Sequence, residues 1–163
     1  MTQEEMKNQV LNAWQLHDQI LLNLLAQIPP KGFTSVPTGS KGRDVAAQFA
    51  HLNSVRVGWL HYHRTGKRPS RNRYDKANPP TKAQLKKELS ESGKEIERFL
   101  RNALEGEIHP RMFGRQAIRW MGYLISHESH HRGQIMLALK QSGMRMPEKV
   151  ALDGLWGKWI FGK

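Results

Sequence analysis

Apolar residues recur at three- and four-residue steps in four separate blocks of this sequence, and no comparable stretch alternates with period two. That spacing confines the chain to helices, each with one apolar face. In the first block Thr2 and Glu5 have the spacing of a capping box. Met6, Val10, Ala13, Trp14, Ile20, Leu21, Leu24 and Ile28 follow on one face, and Pro29-Pro30 ends the block. A Gly/Pro/Ser-rich loop leads to about Gly42. The second block runs from about Arg43 to His63 with Val45, Phe49, Leu52, Val55 and Trp59 as its stripe, and Thr65-Gly66 breaks it. The third begins at Thr81, again with a capping-box partner at Gln84, and carries Leu85, Leu89, Ile96, Phe99, Leu100 and Ala103. The fourth, from about Gly114 to Gln141, carries Ala117, Met121, Leu124, Ile125, Ile135, Ala138 and Leu139, with Gly143 placed as its stop.

Four amphipathic helices with polar backs predict an all-α fold, a four-helix bundle forming a single domain over residues 1–163. The connections are longer than tight turns, which leaves the order of the helices open. The tail from Met146 to Lys163 holds Leu155, Trp156, Trp159, Ile160 and Phe161. It is too apolar to stay in water and is expected to fold back on the bundle or to meet a second subunit.

Composition narrows the chemistry. With no cysteine there are no disulfides, thiolate ligands or cysteine nucleophiles, so a metal must be held by nitrogen and oxygen. The acidic opening Met1-Thr2-Gln3-Glu4-Glu5 is unlike a secretory signal, and no apolar run approaches the roughly 18 residues of a membrane span. A soluble, cytoplasmic protein with no membrane partner is expected. Twenty-six Lys and Arg against fourteen Asp and Glu give a net charge of +12, a field that can gather anions or simply keep the surface solvated. From Arg64 to Lys87 there are nine basic residues and one acid, Asp75. Interrupted by Gly66, Pro69, Pro79 and Pro80, the stretch Arg64 to Pro80 reads as a mobile basic loop suited to an anionic thiol or acid. Nucleic acid is the less favoured partner, because Tyr74 is the one stacking ring there and no recognition helix accompanies it.

The histidines carry the sharpest signal. On a wheel of about 100° per residue, His131 falls about 60° from the centre of the fourth stripe, and His127 about 40° further round. His130 points away. Histidines at i and i+4 stand over one another, so His127 and His131 can bring two imidazole nitrogens to one ion. A third ligand is needed. His51, at the boundary of the second stripe, is slightly preferred over His17, which lies near the centre of the first stripe, where a buried, hydrogen-bonded histidine is expected. His61, His63 and His109 look peripheral.

The string His127-Glu128-Ser129-His130-His131 also satisfies H-E-x-x-H, the zinc-peptidase signature. Its context is poor: Gln134 and Leu137 stand where the longer signature has Gly and His, Glu148 follows Pro147 in the tail, and no edge strand is available for a peptide.

Extended to His127-Glu128-Ser129-His130-His131-Arg132-Gly133-Gln134-Ile135, the string resembles the DinB-like family of metal-binding four-helix bundles. Phe49-Ala50-His51-Leu52, with Trp59 downstream, is similar to the family's second-helix motif. Leu155-Trp156-Gly157-Lys158-Trp159 is similar to the ending of some members. The resemblance implies three histidine ligands, His51, His127 and His131, around a divalent ion, zinc or nickel first. It also implies a homodimer and a small-molecule substrate, since some relatives transfer low-molecular-weight thiols or isomerise substrates with a thiol cofactor. The basic loop is outside what the motif implies.

Imidazole ligands also suit iron and manganese. Three neutral imidazoles leave the ion's charge uncancelled, so a bound water or thiol ionises more easily. Glu128 and Gln134 are the catalytic candidates: Glu128 as a base or, in preference, as a paired acid near the stripe's centre, and Gln134 at the rim. The expected function is a metal-dependent thiol transferase or hydrolase. The alternative is an anion- or nucleic-acid-binding protein with a structural metal.

Overall fold

In the computed structural model, which describes residues 1–69, 74–75 and 77–162, the chain is all-helical and no strand forms among those residues. Four long helices carry the apolar stripes: α1 (Gln3–Gln27), α2 (Val45–Thr65), α3 (Lys82–Leu104) and α4 (Ala117–Gln141). Both capping boxes form. Thr2 Oγ1 accepts from the Glu5 N–H at 3.1 Å while Glu5 Oε2 accepts from the Thr2 N–H at 2.7 Å, and Thr81 and Gln84 repeat the exchange at 3.2 and 2.8 Å. α2 begins slightly later than its periodicity suggests, because Asp44 Oδ1 caps it by accepting from the Ala47 N–H at 2.8 Å. α4 begins at Ala117 rather than near Gly114. Phe113, Gly114 and Arg115 take φ of 60°, 62° and 63° in a 3-10 turn, which an α-helix cannot absorb.

Beyond α4 lie two short helices, α5 (Glu148–Ala151) and α6 (Gly157–Phe161), joined by a π turn over Leu152–Trp156. The tail folds back onto α1: Leu155 is buried in the core and Asn23 Nδ2 donates to the Gly154 carbonyl at 3.2 Å. Trp156, Ile160 and Phe161 stay exposed. No helix among the described residues is long and apolar enough to cross a membrane.

α1 and α2 each pack against both α3 and α4. Side-chain pairs give the directions. Trp14 to Gly93 and Lys7 to Glu105 make α1 antiparallel to α3, whereas Asn53 to Glu88 and Arg64 to Glu95 make α2 parallel to α3. The α2–α3 connection must therefore return along the bundle, about 31 Å for a 21-residue helix. This explains its length. α2 runs through Thr65, so Arg64 belongs to the helix and not to the loop. Residues 70–73 and 76 of the expected mobile basic loop lie outside the described residues. Tyr74 is held rather than free to stack: its hydroxyl donates to Glu88 Oε1 at 2.6 Å and its ring packs on the core.

The core is divided. One apolar cluster is built around Leu24, Phe49, Leu52, Leu89 and Ile135, the other around Leu11, Leu60, Ile96, Trp120 and Leu124. Between them, at one level on all four helices, sits a polar layer of His17, Arg56, Glu128 and backbone carbonyls of α3. The buried face of α2 is accordingly Phe49, Leu52, Arg56, Leu60 and His63; Val55 and Trp59 are displaced to its half-buried flank. His63, expected to be peripheral, is buried among Trp59, Phe99 and Trp120, and its Nδ1 accepts from the Arg111 N–H at 3.2 Å. Burial, helped by Arg111, pulls its pKa down to about 4. His61 and His109 are exposed, as expected.

α1 and α3 approach closely at Gly93, where an added Cβ would lie 2.5 Å from both Asp18 carboxylate oxygens. Asp18 is held by Arg56, so it cannot swing away without breaking that pair. Gly93→Ala is expected to lower stability by about 1–3 kcal/mol through overpacking, despite alanine's higher helix propensity. A urea midpoint equal to or above that of the parent would contradict this.

Candidate metal centre

α2 and α4 run antiparallel, and each lays one flank into the groove between them. On α2 that flank is His51, Val55 and Trp59; on α4 it is His131, His127 and Tyr123. The four-residue spacing on each helix stacks these side chains in rows. At one level the rows bring together His51, His127 and His131, with a ligand nitrogen of each lying within 4.8 Å of the other two. Ring centroids are 4.7–5.3 Å apart and every pair is edge-on. A tetrahedral zinc ion with Zn–N bonds of about 2.0–2.1 Å would hold its nitrogens about 3.3 Å apart, a contraction that side-chain rotation can supply. Nδ1 of His127 is buried with no hydrogen-bond partner among the described residues. Such an atom is costly unless it meets an ion or water.

The surroundings prepare the rings as ligands. His131 Nδ1 lies 3.2 Å from the buried Gln48 Oε1. The carbonyl accepts the Nδ1 proton, which leaves Nε2 as a lone-pair donor. Gln48 in turn donates from Nε2 to the Arg43 carbonyl at 3.5 Å, a long contact that nonetheless sets which way its amide faces. His127 stacks on Tyr123 at 5.8 Å and 21°. Burial lowers the pKa of all three histidines, to about 4 for His51 and His131. For His51 the next causes are Arg43 and the neighbouring histidines, and for His131 they are His127, His130 and Arg43. The three rings are thus neutral at pH 7, the form that binds metals.

A pH dependence follows. An unfolded histidine has a pKa near 6.5, while His51, His63 and His131 sit near 4 in the folded chain. Between those values the unfolded state binds protons that the native state refuses, so the metal-free protein is at full stability above pH 6.5 and loses it as pH falls towards 4. Urea midpoints flat across that interval would refute the expectation.

The other sequence candidates fall in different places. His17, the rival third ligand, is fully buried in the polar layer, with Nε2 2.8 Å from Glu128 Oε2. Glu128 points into the same layer: Arg56 Nε donates to its Oε1 at 2.6 Å and Arg56 Nη2 to its Oε2 at 2.7 Å. Burial pushes the Glu128 carboxyl up, but Arg56 and His17 outweigh it and hold its pKa at about 2. To act as a base, Glu128 would have to leave this pair. His130 is exposed and meets Gln134, their Nε2 atoms 3.0 Å apart. Arg56 also donates to Asp18 Oδ1 at 2.6 Å and stacks over the Trp14 ring at 5.0 Å. Gln48, Arg56 and Tyr123 join the site only in the structure. Each had a signal: Gln48 and Tyr123 lie three or four residues from a triad histidine, and Arg56 sits inside an apolar stripe.

The fold and the site define an all-helical protein with a three-histidine group placed to bind a metal ion in the groove of α2 and α4. The chain belongs to the DinB family, whose model matches residues 1–160. No curated protein matches it.

Proposed function

We propose that the protein, as a four-helix bundle with a helical tail, holds one divalent ion through His51, His127 and His131 and acts on a small-molecule substrate, a low-molecular-weight thiol being the leading candidate. The convergence of three neutral imidazoles from two helices carries this reading. Zinc or nickel suits the donors best, and iron or manganese can also be held. When bound, the ion stabilises the anion of a water or thiol placed on it, lowering that group's pKa. The chain's own residues do the rest. Gln48 fixes the ring of His131, Tyr123 backs His127, and Gln134 with His130 forms a polar edge beyond the ligands. The absence of cysteine means that a thiol nucleophile arrives as substrate. The exposed Trp156, Ile160 and Phe161 support the homodimer the family resemblance implies. The test is metal content of the purified protein, followed by a thiol-plus-electrophile screen on the zinc and nickel forms. Turnover that persists unchanged after the metal is removed would contradict the proposal.

One observation supports a second reading, anion binding. A hollow of about 570 Å³ at the far end of α2 and α3 is lined by Arg64, Arg98, His109, Arg111 and Arg115. Glu95 pairs with Arg64 and Arg98 and offsets part of that charge, as do the C-terminal ends of α2 and α3. Phosphate affinity that falls steeply with salt would favour this reading.

A further inference from the structure

Beside the histidine group the α2–α4 groove does not close. One to two turns further along, towards the C-terminus of α2 and the N-terminus of α4, it opens into a cavity of about 380 Å³ lined by Val55, Trp59, Tyr62, Met112 and Tyr123, with Arg68. The two sites share a wall. Tyr123 lines the cavity and stacks on His127, and Trp59 meets Tyr123 edge-on at 6.0 Å. Phe113 braces this wall, at 4.8 Å from Trp59 and 5.1 Å from Tyr123. The strained left-handed turn at Phe113–Arg115 therefore has a structural product, the placing of Phe113 and its neighbour Met112 against the groove.

We infer that this cavity is the specificity pocket of the site: it takes the apolar, aromatic or branched-alkyl body of a small molecule whose donor atom binds the ion held by His51, His127 and His131. The inference rests on the metal reading proposed above. Three features select this occupant. The walls are rings and aliphatic side chains whose packing rewards an apolar body. Among the described lining residues Arg68 carries the charge, so a cationic body is disfavoured and a neutral or acidic one accepted. The shared wall is a single side chain, Tyr123, whose ring centroid lies 5.8 Å from that of His127, a span that one small molecule can bridge. A short polar thiol or a water molecule fills none of this space. The substrate class is therefore narrower than a generic low-molecular-weight nucleophile.

The experiment uses the full-length protein loaded with cobalt(II), whose ligand-field absorption reports the histidine site directly. Acetohydroxamate and 3-phenylpropanohydroxamate serve as probes, with the same metal-binding head and different bodies. The phenyl probe is expected to bind at least about tenfold more tightly, the ratio produced by about 1.4 kcal/mol of apolar burial. Val55→Trp, which fills the cavity from a half-buried position, is expected to bring the ratio near one by weakening the phenyl probe, with the cobalt absorption reporting that the histidine site is still loaded. Tyr123→Ala, from the opposite wall, is expected to lower the ratio as well, so the inference does not depend on one variant folding. Equal affinities in the parent protein, or a preference that survives in both folded variants, would overturn the pocket and leave the metal site standing. Absence of a bound-cobalt spectrum would overturn both.

Discussion

Replacing His51 with alanine is expected to lower metal affinity by more than about 100-fold while the helices stay folded. Two imidazoles on one helix are an incomplete set, and stable sites generally have three or more protein ligands. His51 is the contribution of α2, without which the ion would bind α4 alone. The loss should exceed that for Gln48→Leu, which removes the hydrogen bond to His131 Nδ1 and is expected to cost about 10–100-fold as an orienting partner. Because His51 is half-buried and makes no hydrogen bond among the described residues, its removal should shift the urea midpoint of the metal-free chain little. His17→Ala should do the opposite: it weakens the buried layer by stripping a partner from Glu128 and leaves metal affinity near that of the parent. Competition titrations against a chelator separate the two variants. Tight stoichiometric metal in His51→Ala, or its loss in folded His17→Ala, would place the ion elsewhere.

Much of this centre was legible because helical periodicity and chelation obey the same spacing. His127 and His131 are one turn apart, and that fact alone puts their rings side by side and sends His130 outward. The four stripes likewise mark four long helices, since apolar side chains can be buried only on one face at a time. Choosing between His51 and His17 was harder. Either histidine can be reached from a wheel, and the choice depends on how α2 is rotated against α4. The spacing of apolar residues runs the α2 stripe through Val55 and Trp59, whereas the buried row runs through Arg56, Leu60 and His63. Hydrophobicity favoured valine and tryptophan over arginine, and that preference failed because Glu128 supplies the opposite charge from another helix. A basic residue within one stripe and an acid within another is a sign of such a pair, though neither stripe shows it alone. The return of the α2–α3 connection along the bundle and the left-handed turn at Phe113–Arg115 depend on packing between segments distant in sequence, which local spacing does not encode.

Arg56→Ala is expected to lower stability by about 3–5 kcal/mol, the cost of leaving a buried charge without its partner. The guanidinium is fully buried and supplies both hydrogen bonds of a bidentate pair with Glu128 and another to Asp18. Without it, burial is unopposed except by His17, and the Glu128 carboxyl rises from about 2. In the parent, Glu128 contributes stability that is present above about pH 4.5 and lost as pH falls towards 2. In the variant that contribution is gone, so the gap between the two proteins should narrow on acidification. A gap of constant size between pH 7 and 3 would mean that the loss comes from packing rather than from charge. Arg56→Met combined with Glu128→Leu should recover part of the stability, because two apolar groups avoid the desolvation that the pair must offset, while Asp18 and His17 lose their partners. Metal affinity then distinguishes two roles for the layer. Arg56 lies five residues beyond His51, and Glu128 is the neighbour of His127, so the pair locks α2 and α4 at the level of the triad. If that lock sets the alignment of the histidines, the double variant will be stable and bind metal at least about tenfold less tightly, as expected for a group that orients ligands. Unchanged affinity in the stable double variant would show that apolar packing alone holds the two helices in register.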